Sequence, residues 1–85
     1  MTIEELAPLT DGLSVHAGAQ TLVCERTIIT PASRDAVDVA FWVAGTDHRP
    51  RVRLTHERVS RSSADELARI LSRVVVRAVT GERRA

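Results

Sequence analysis

Lysine and tyrosine are absent from these 85 residues, and cysteine, tryptophan and phenylalanine occur once each. Each shortage excludes something. A lone Cys24 rules out an intrachain disulfide framework and a cysteine-based zinc site, and in a strand it reads as a small buried hydrophobe. Phe41 and Trp42 are neighbours, so in a strand they point to opposite faces and cannot form the aromatic platform on which sheets hold single-stranded nucleic acid. The glycines Gly12, Gly18, Gly45 and Gly81 are isolated, which excludes a glycine-rich phosphate loop. No apolar run approaches the roughly 18 residues of a membrane span. The amino terminus lacks the basic and apolar regions of a signal peptide, so the cytoplasm is the expected setting.

Convergent acid, base or metal groups are equally scarce. His16, His48 and His56 fall on separate segments without HxH or HxxxH spacing. A meeting of His16, His56 and Cys24 needs adjacent strands, and isolated histidines are the simpler reading. No catalytic residue, metal or cofactor is expected, and the chain is read as a non-enzymatic protein.

What is present is aliphatic and arginine-rich. The chain is 44% hydrophobic, so valine, leucine, isoleucine and alanine must fill the core of a single domain spanning residues 1–85. A domain of this size buries only about 60% of its unfolded surface, which favours self-association. The net charge of +1 hides an imbalance: residues 1–48 carry −5 and residues 49–85 carry +6. All 12 basic residues are arginine, as a GC-rich genome would favour.

Residues 63–80 give the clearest element. Leu67, Ile70, Leu71, Val74, Val75 and Ala78 share half of a helical wheel. Ser63 and Glu66 have capping-box spacing, Asp65 and Glu66 suit the first turn, and Gly81 suits a left-handed helix end ahead of Glu82, Arg83 and Arg84. The opposite face carries Arg69, Arg73 and Arg77, with Val76 beside them. Like charges four residues apart repel by a few tenths of a kcal/mol. That row is either a solvated face or a docking site for an acidic or phosphate-bearing partner.

The strands come earlier. Thr2 and Glu5 have capping spacing, so residues 1–12 form a short helix limited by Pro8 or an irregular arm; Thr10, Asp11 and Gly12 read as a turn. Residues 13–59 form an antiparallel sheet of three to four strands. Leu13 to Ala17 alternates and Thr21 to Thr30 is β-branched, giving either one strand bulged at Gly18 or a hairpin around Ala17 to Gln20; the hairpin is adopted. Pro31 to Asp35 reads as a loop. In Ala36 to Ala44, Val37, Val39, Phe41 and Val43 face the helix, and Asp38, Ala40, Trp42 and Ala44 face away. A six-residue loop leads to a strand over Arg51 to Arg58, with Val52, Leu54 and His56 on one side. The predicted fold is α+β, one long C-terminal helix packed on one face of the sheet.

A single helix covers a single face. The face bearing Trp42, Ala40 and Ala44 is therefore covered by residues 1–12 or buried against another molecule, and tryptophan is enriched where interfaces concentrate their energy. Arg58 and Arg61, with Ser62 and Ser63 at the helix start, form an anion-binding candidate.

The strand order, the arginine-only basic complement and the closing helix SSADELARILSRVVVRAV resemble small uncharacterised actinobacterial proteins, some of them dimers of a sheet with one long helix. The run DVAFWVAGTDHRPRVRLTHERVSRSSADELARILSRV resembles the closing strands and helix of assembly-line condensation domains. Their catalytic HHxxxDG motif is absent, so that resemblance implies shape or partner binding without acyl transfer. The resulting expectation is an interaction module, a homodimer or the small partner or regulator of a larger protein; an arginine-dependent nucleic-acid-binding regulator is the alternative.

Overall fold

The computed structural model describes residues 1–81. A 3-10 turn, Ile3–Glu5, runs into α1, Leu6–Thr10; β1 (Ser14–Ala17), β2 (Gln20–Ser33), β3 (Ala36–Val43) and β4 (Arg51–Thr55) follow, then α2 (His56–Arg61) and α3 (Ala64–Gly81). The strands form one antiparallel meander in the order β1-β2-β3-β4, and the α+β class is as predicted.

β3 organises the core because both its neighbours pair with it and its alternation is strict. Val39, Phe41 and Val43 are fully buried, as are Leu67, Leu71 and Val75 of α3. Each such side chain contributes about 1.5–3 kcal/mol by leaving water. The Ser63 and Glu66 capping box is formed: the Glu66 amide donates to Ser63 Oγ at 3.2 Å, and the Ser63 amide donates to the Glu66 carboxylate at 3.4 Å. Gly81 departs from expectation. It is helical, without a positive φ, and Glu82, Arg83 and Arg84, expected to follow the helix end, lie outside the described residues.

The amino terminus forms the capping arrangement, with the Thr2 amide and hydroxyl donating to Glu5 Oε1 at 3.0 and 2.9 Å. Pro8 is tolerated because it falls in the first turn of α1. Leu6 is fully buried within the same cluster as α3. Residues 1–12 therefore lie on the helix side of the sheet, which removes the alternative in which they cover Trp42.

The hairpin reading at Gly18 holds. Ala17 pairs with Gln20, and Gly18 takes φ 63° at the first central position of a two-residue turn, the pattern of a II′ turn. Two other expectations are corrected. Pro31, Ala32 and Ser33 are strand, not loop, since β1 borders only Gln20–Val23 and Pro31 lies where β2 has a partner on one side alone; a missing amide is harmless there. The strand predicted to Arg58 stops at Thr55. The Thr55 hydroxyl accepts from the Arg58 amide at 3.0 Å and starts α2, which carries Val59 into the core and removes His56 from the sheet. Continued as a strand, the same residues would turn His56 and Arg58 inward, which burial penalises.

β2 also contains a feature with no local sequence signal. Glu25 pairs with Trp42 and Ile28 with Ala40, so Arg26 and Thr27 together oppose Phe41 in a bulge. Arg26 has φ 55°, the one positive φ outside glycine among the described residues. The Thr27 amide and hydroxyl donate to Asp11 Oδ1 at 2.9 and 2.6 Å, and these two bonds hold the Asp11 carboxyl below its ordinary range. Arg26 shares its parity with the inward-facing Leu22 and Cys24. The bulge turns it outward and brings Ile29 into phase with the core.

Candidate interaction surfaces

Opposite the helices the sheet presents its outer face. Asp38, Ala40 and Trp42 alternate outward along β3, and Ala44 follows just past its end. β2 sets Glu25 beside Trp42 and Ile28 beside Ala40; β4 sets Arg51 beside Ala40 and Arg53 beside Asp38. Ile28 and Val23 are 56% and 41% exposed, the two large apolar residues left open. The strip Val23, Ile28, Ala40, Trp42 and Ala44 is thus apolar, with arginines along its β4 side.

Trp42 is half-buried by two guanidinium groups rather than by another element. Arg49 lies 3.8 Å from the ring centroid and Arg26 lies 5.4 Å from it. Contacts of this kind contribute roughly 0.5–1 kcal/mol each at exposed sites. The β3–β4 register, with Arg51 opposite Ala40, places Arg49 beside Trp42, although the sequence puts Arg49 in the connecting loop. Arg26 was not legible, since only the bulge delivers it. At the end of the strip Arg53 Nε donates to Asp38 Oδ1 at 3.0 Å, which lowers the Asp38 pKa and raises that of Arg53.

The second surface is the outside of α3. Arg69, Arg73 and Arg77 are exposed on one face, and no described carboxylate lies within ion-pair distance of them. Val76 is half-buried against the core rather than standing free. Grooves flank the row on both sides. One of about 590 Å³ lies toward His16 on β1; the other, of about 460 Å³, lies toward Val52 on β4.

The anion-binding candidate is only partly assembled. Arg58, Arg61 and Ser62 line a hollow of about 710 Å³ together with Glu57 and Glu66. Arg61 is paired with Glu57 at 3.1 Å, and Glu66 holds the Ser63 hydroxyl and amide. The hollow is therefore already furnished with two carboxylates, and Ser63 is engaged elsewhere.

The remaining polar candidates stay apart. His16 lies 3.3 Å from the Thr21 hydroxyl, the His48 carbonyl accepts from the Val43 amide, and His56 opens α2. Cys24 is fully buried, and burial pushes its thiol up to about 11. Among the described residues no three His, Cys, Asp or Glu side chains group as metal ligands, and no helix is long and apolar enough to cross a membrane. Compared with known proteins, the chain matches no family model, no curated protein and no solved structure.

Proposed function

We propose that this protein is a non-enzymatic, cytoplasmic interaction module that pairs with a second copy of itself through the outer face of the sheet. One observation carries the reading. Glu25, Trp42 and Arg49 form a single transverse row, with Glu25 on one side of the tryptophan, 3.8 Å from the exposed guanidinium of Arg26, and Arg49 on the other. A two-fold axis parallel to the strands would set Trp42 against its counterpart and each Glu25 opposite the other copy's Arg49, so the row is self-complementary. The apolar strip supplies the area to bury. With overall dimensions of 35 × 25 × 19 Å the broad face has room for the roughly 800 Å² per partner of a stable interface.

Native mass spectrometry tests this directly. The wild-type chain is expected at twice its 9.3 kDa mass. Glu25→Arg and Arg49→Glu should each give monomer, and the double variant should recover the dimer. A monomeric wild type, or single variants that remain dimeric, would overturn the pairing.

A second reading rests on the exposed row Arg69, Arg73 and Arg77, with which no described carboxylate pairs. Three guanidiniums on one helix face suit the phosphates of a duplex, with the chain acting as a nucleic-acid-binding regulator. Such a complex weakens steeply between low and moderate salt, whereas a pairing that buries Trp42 and encloses its ion pairs responds less.

A further inference from the structure

We infer that the groove between β4 and α3 is a docking site for an extended acidic segment of another protein, which joins the sheet as a strand beside β4. Three features converge there. β4 closes one side of the meander, and the Pro50 carbonyl accepts from the Phe41 amide at 3.2 Å. Antiparallel ladders alternate, so Val52 and Leu54 bond toward β3 while Arg51 and Arg53 turn their amides and carbonyls to the open edge, where no described strand lies. An edge of this kind accepts an added strand through main-chain hydrogen bonds.

The groove beside this edge supplies the side-chain contacts. Its floor is made by Val52, Ile70, Val74 and Ala78, half-buried residues at the border of the core, and its rim by Arg51, Arg73 and Arg77. Among the described residues no carboxylate lines it. An apolar floor with an all-arginine rim suits a strand that alternates aliphatic residues with Asp or Glu.

The same charges select the occupant. Charged side chains on an edge strand prevent pairing with identical edges. A second β4 would bring Arg51 and Arg53 against their own copies, and like charges directly opposite are destabilising. A duplex nucleic acid would satisfy the arginines but leave the aliphatic floor unused. An acidic strand satisfies the edge, the floor and the rim together.

The test uses the full chain and an end-blocked, fluorescein-labelled peptide of three Val-Glu repeats, followed by anisotropy. Saturable binding is expected, with Arg51 and Arg53 amides gaining protection from hydrogen exchange. The double variant Arg73→Glu with Arg77→Glu should weaken it by about tenfold or more, as loss of charge-assisted contacts implies. Both positions are exposed, and circular dichroism verifies that the variant is folded. A peptide N-methylated along one edge should not bind, nor should a Val-Lys counterpart. Equal binding of either control, no saturable binding, or binding of a short DNA duplex in place of the peptide would overturn the inference. Trp42→Ala separates it from the pairing at the outer face: peptide binding should survive that change, and the oligomeric mass reports the other surface.

Discussion

The two faces of β3 share one backbone and have opposite fates. Inward, Val37, Val39, Phe41 and Val43 are at most 6% exposed and meet α3 and α1. Outward, Asp38, Ala40, Trp42 and Ala44 are half-buried beside neighbouring strands, with Arg26 and Arg49 over Trp42. The first face uses its apolar area to hold the fold, and the second keeps apolar area that the fold does not need. Residues of similar hydrophobicity on the two faces should therefore fail differently when removed.

Phe41→Ala should have the largest effect. It empties a fully buried site and is expected to cost about 3–5 kcal/mol, a large share of a small domain's stability. Chemical denaturation reads this, and a midpoint close to wild type would contradict the proposed core. Trp42→Ala should reverse the profile: oligomer lost, intrinsic stability of the folded chain lowered by only about 1 kcal/mol. Equal stability losses for Phe41→Ala and Trp42→Ala would erase the contrast between the faces.

Asp11 tests the bulge that gives the outer face its arginine. Its carboxyl is held below its ordinary value by Thr27, so folded protein binds fewer protons there than unfolded protein. The stabilisation is fully present above roughly pH 4 and is lost as pH falls through the folded value. Glu5 and Asp38 are lowered too, and act in the same window. Asp11→Asn should therefore cost on the order of 1 kcal/mol at neutral pH, allowing for its exposure, and should flatten the acid limb of stability. An unchanged acid limb would mean that Asp11 does not secure the bulge.

The smallest effect is expected from Arg26→Gly. Glycine relieves the positive φ but removes a guanidinium from Trp42, and two terms of about 1 kcal/mol each nearly cancel. Stability should stay within about 0.5 kcal/mol of wild type, while Trp42 fluorescence shifts to the red as the ring meets water. Fluorescence that does not move would show that Arg26 is not held over the ring.

How far the site could be read in advance differed by residue. Trp42, Ala40 and Ala44 on an outward face, and Arg69, Arg73 and Arg77 on one side of a helix, follow from periods of 2 and 3.6 residues. Arg26 over Trp42 does not, because the bulge placing it depends on a carboxylate sixteen residues earlier in the chain. The start of α2 is hidden in the sequence for a related reason. Thr55 and Glu57 are signals for a helix cap, but they fall inside an alternating run, and the fate of Val59 decides between the two patterns. The groove beside β4 joins residues near 51 to residues near 74, and no spacing in the sequence reports that adjacency.

The sequence by itself determined α3 with its Ser63 cap, the two-faced β3 and the α+β class, because each depends on groups within about one turn or one pleat of each other, whereas the choice between bulge and hairpin at Gly18 was left to the structure. The tertiary structure alone decided that α1 lies with α3 and not over Trp42, that Arg26 turns outward, that β2 continues through Pro31, and that β4 lines a groove with α3. Those outcomes depend on which distant groups share the core and which bond across the sheet, and a buried side chain or a satisfied amide stabilises the chain whatever the separation in sequence.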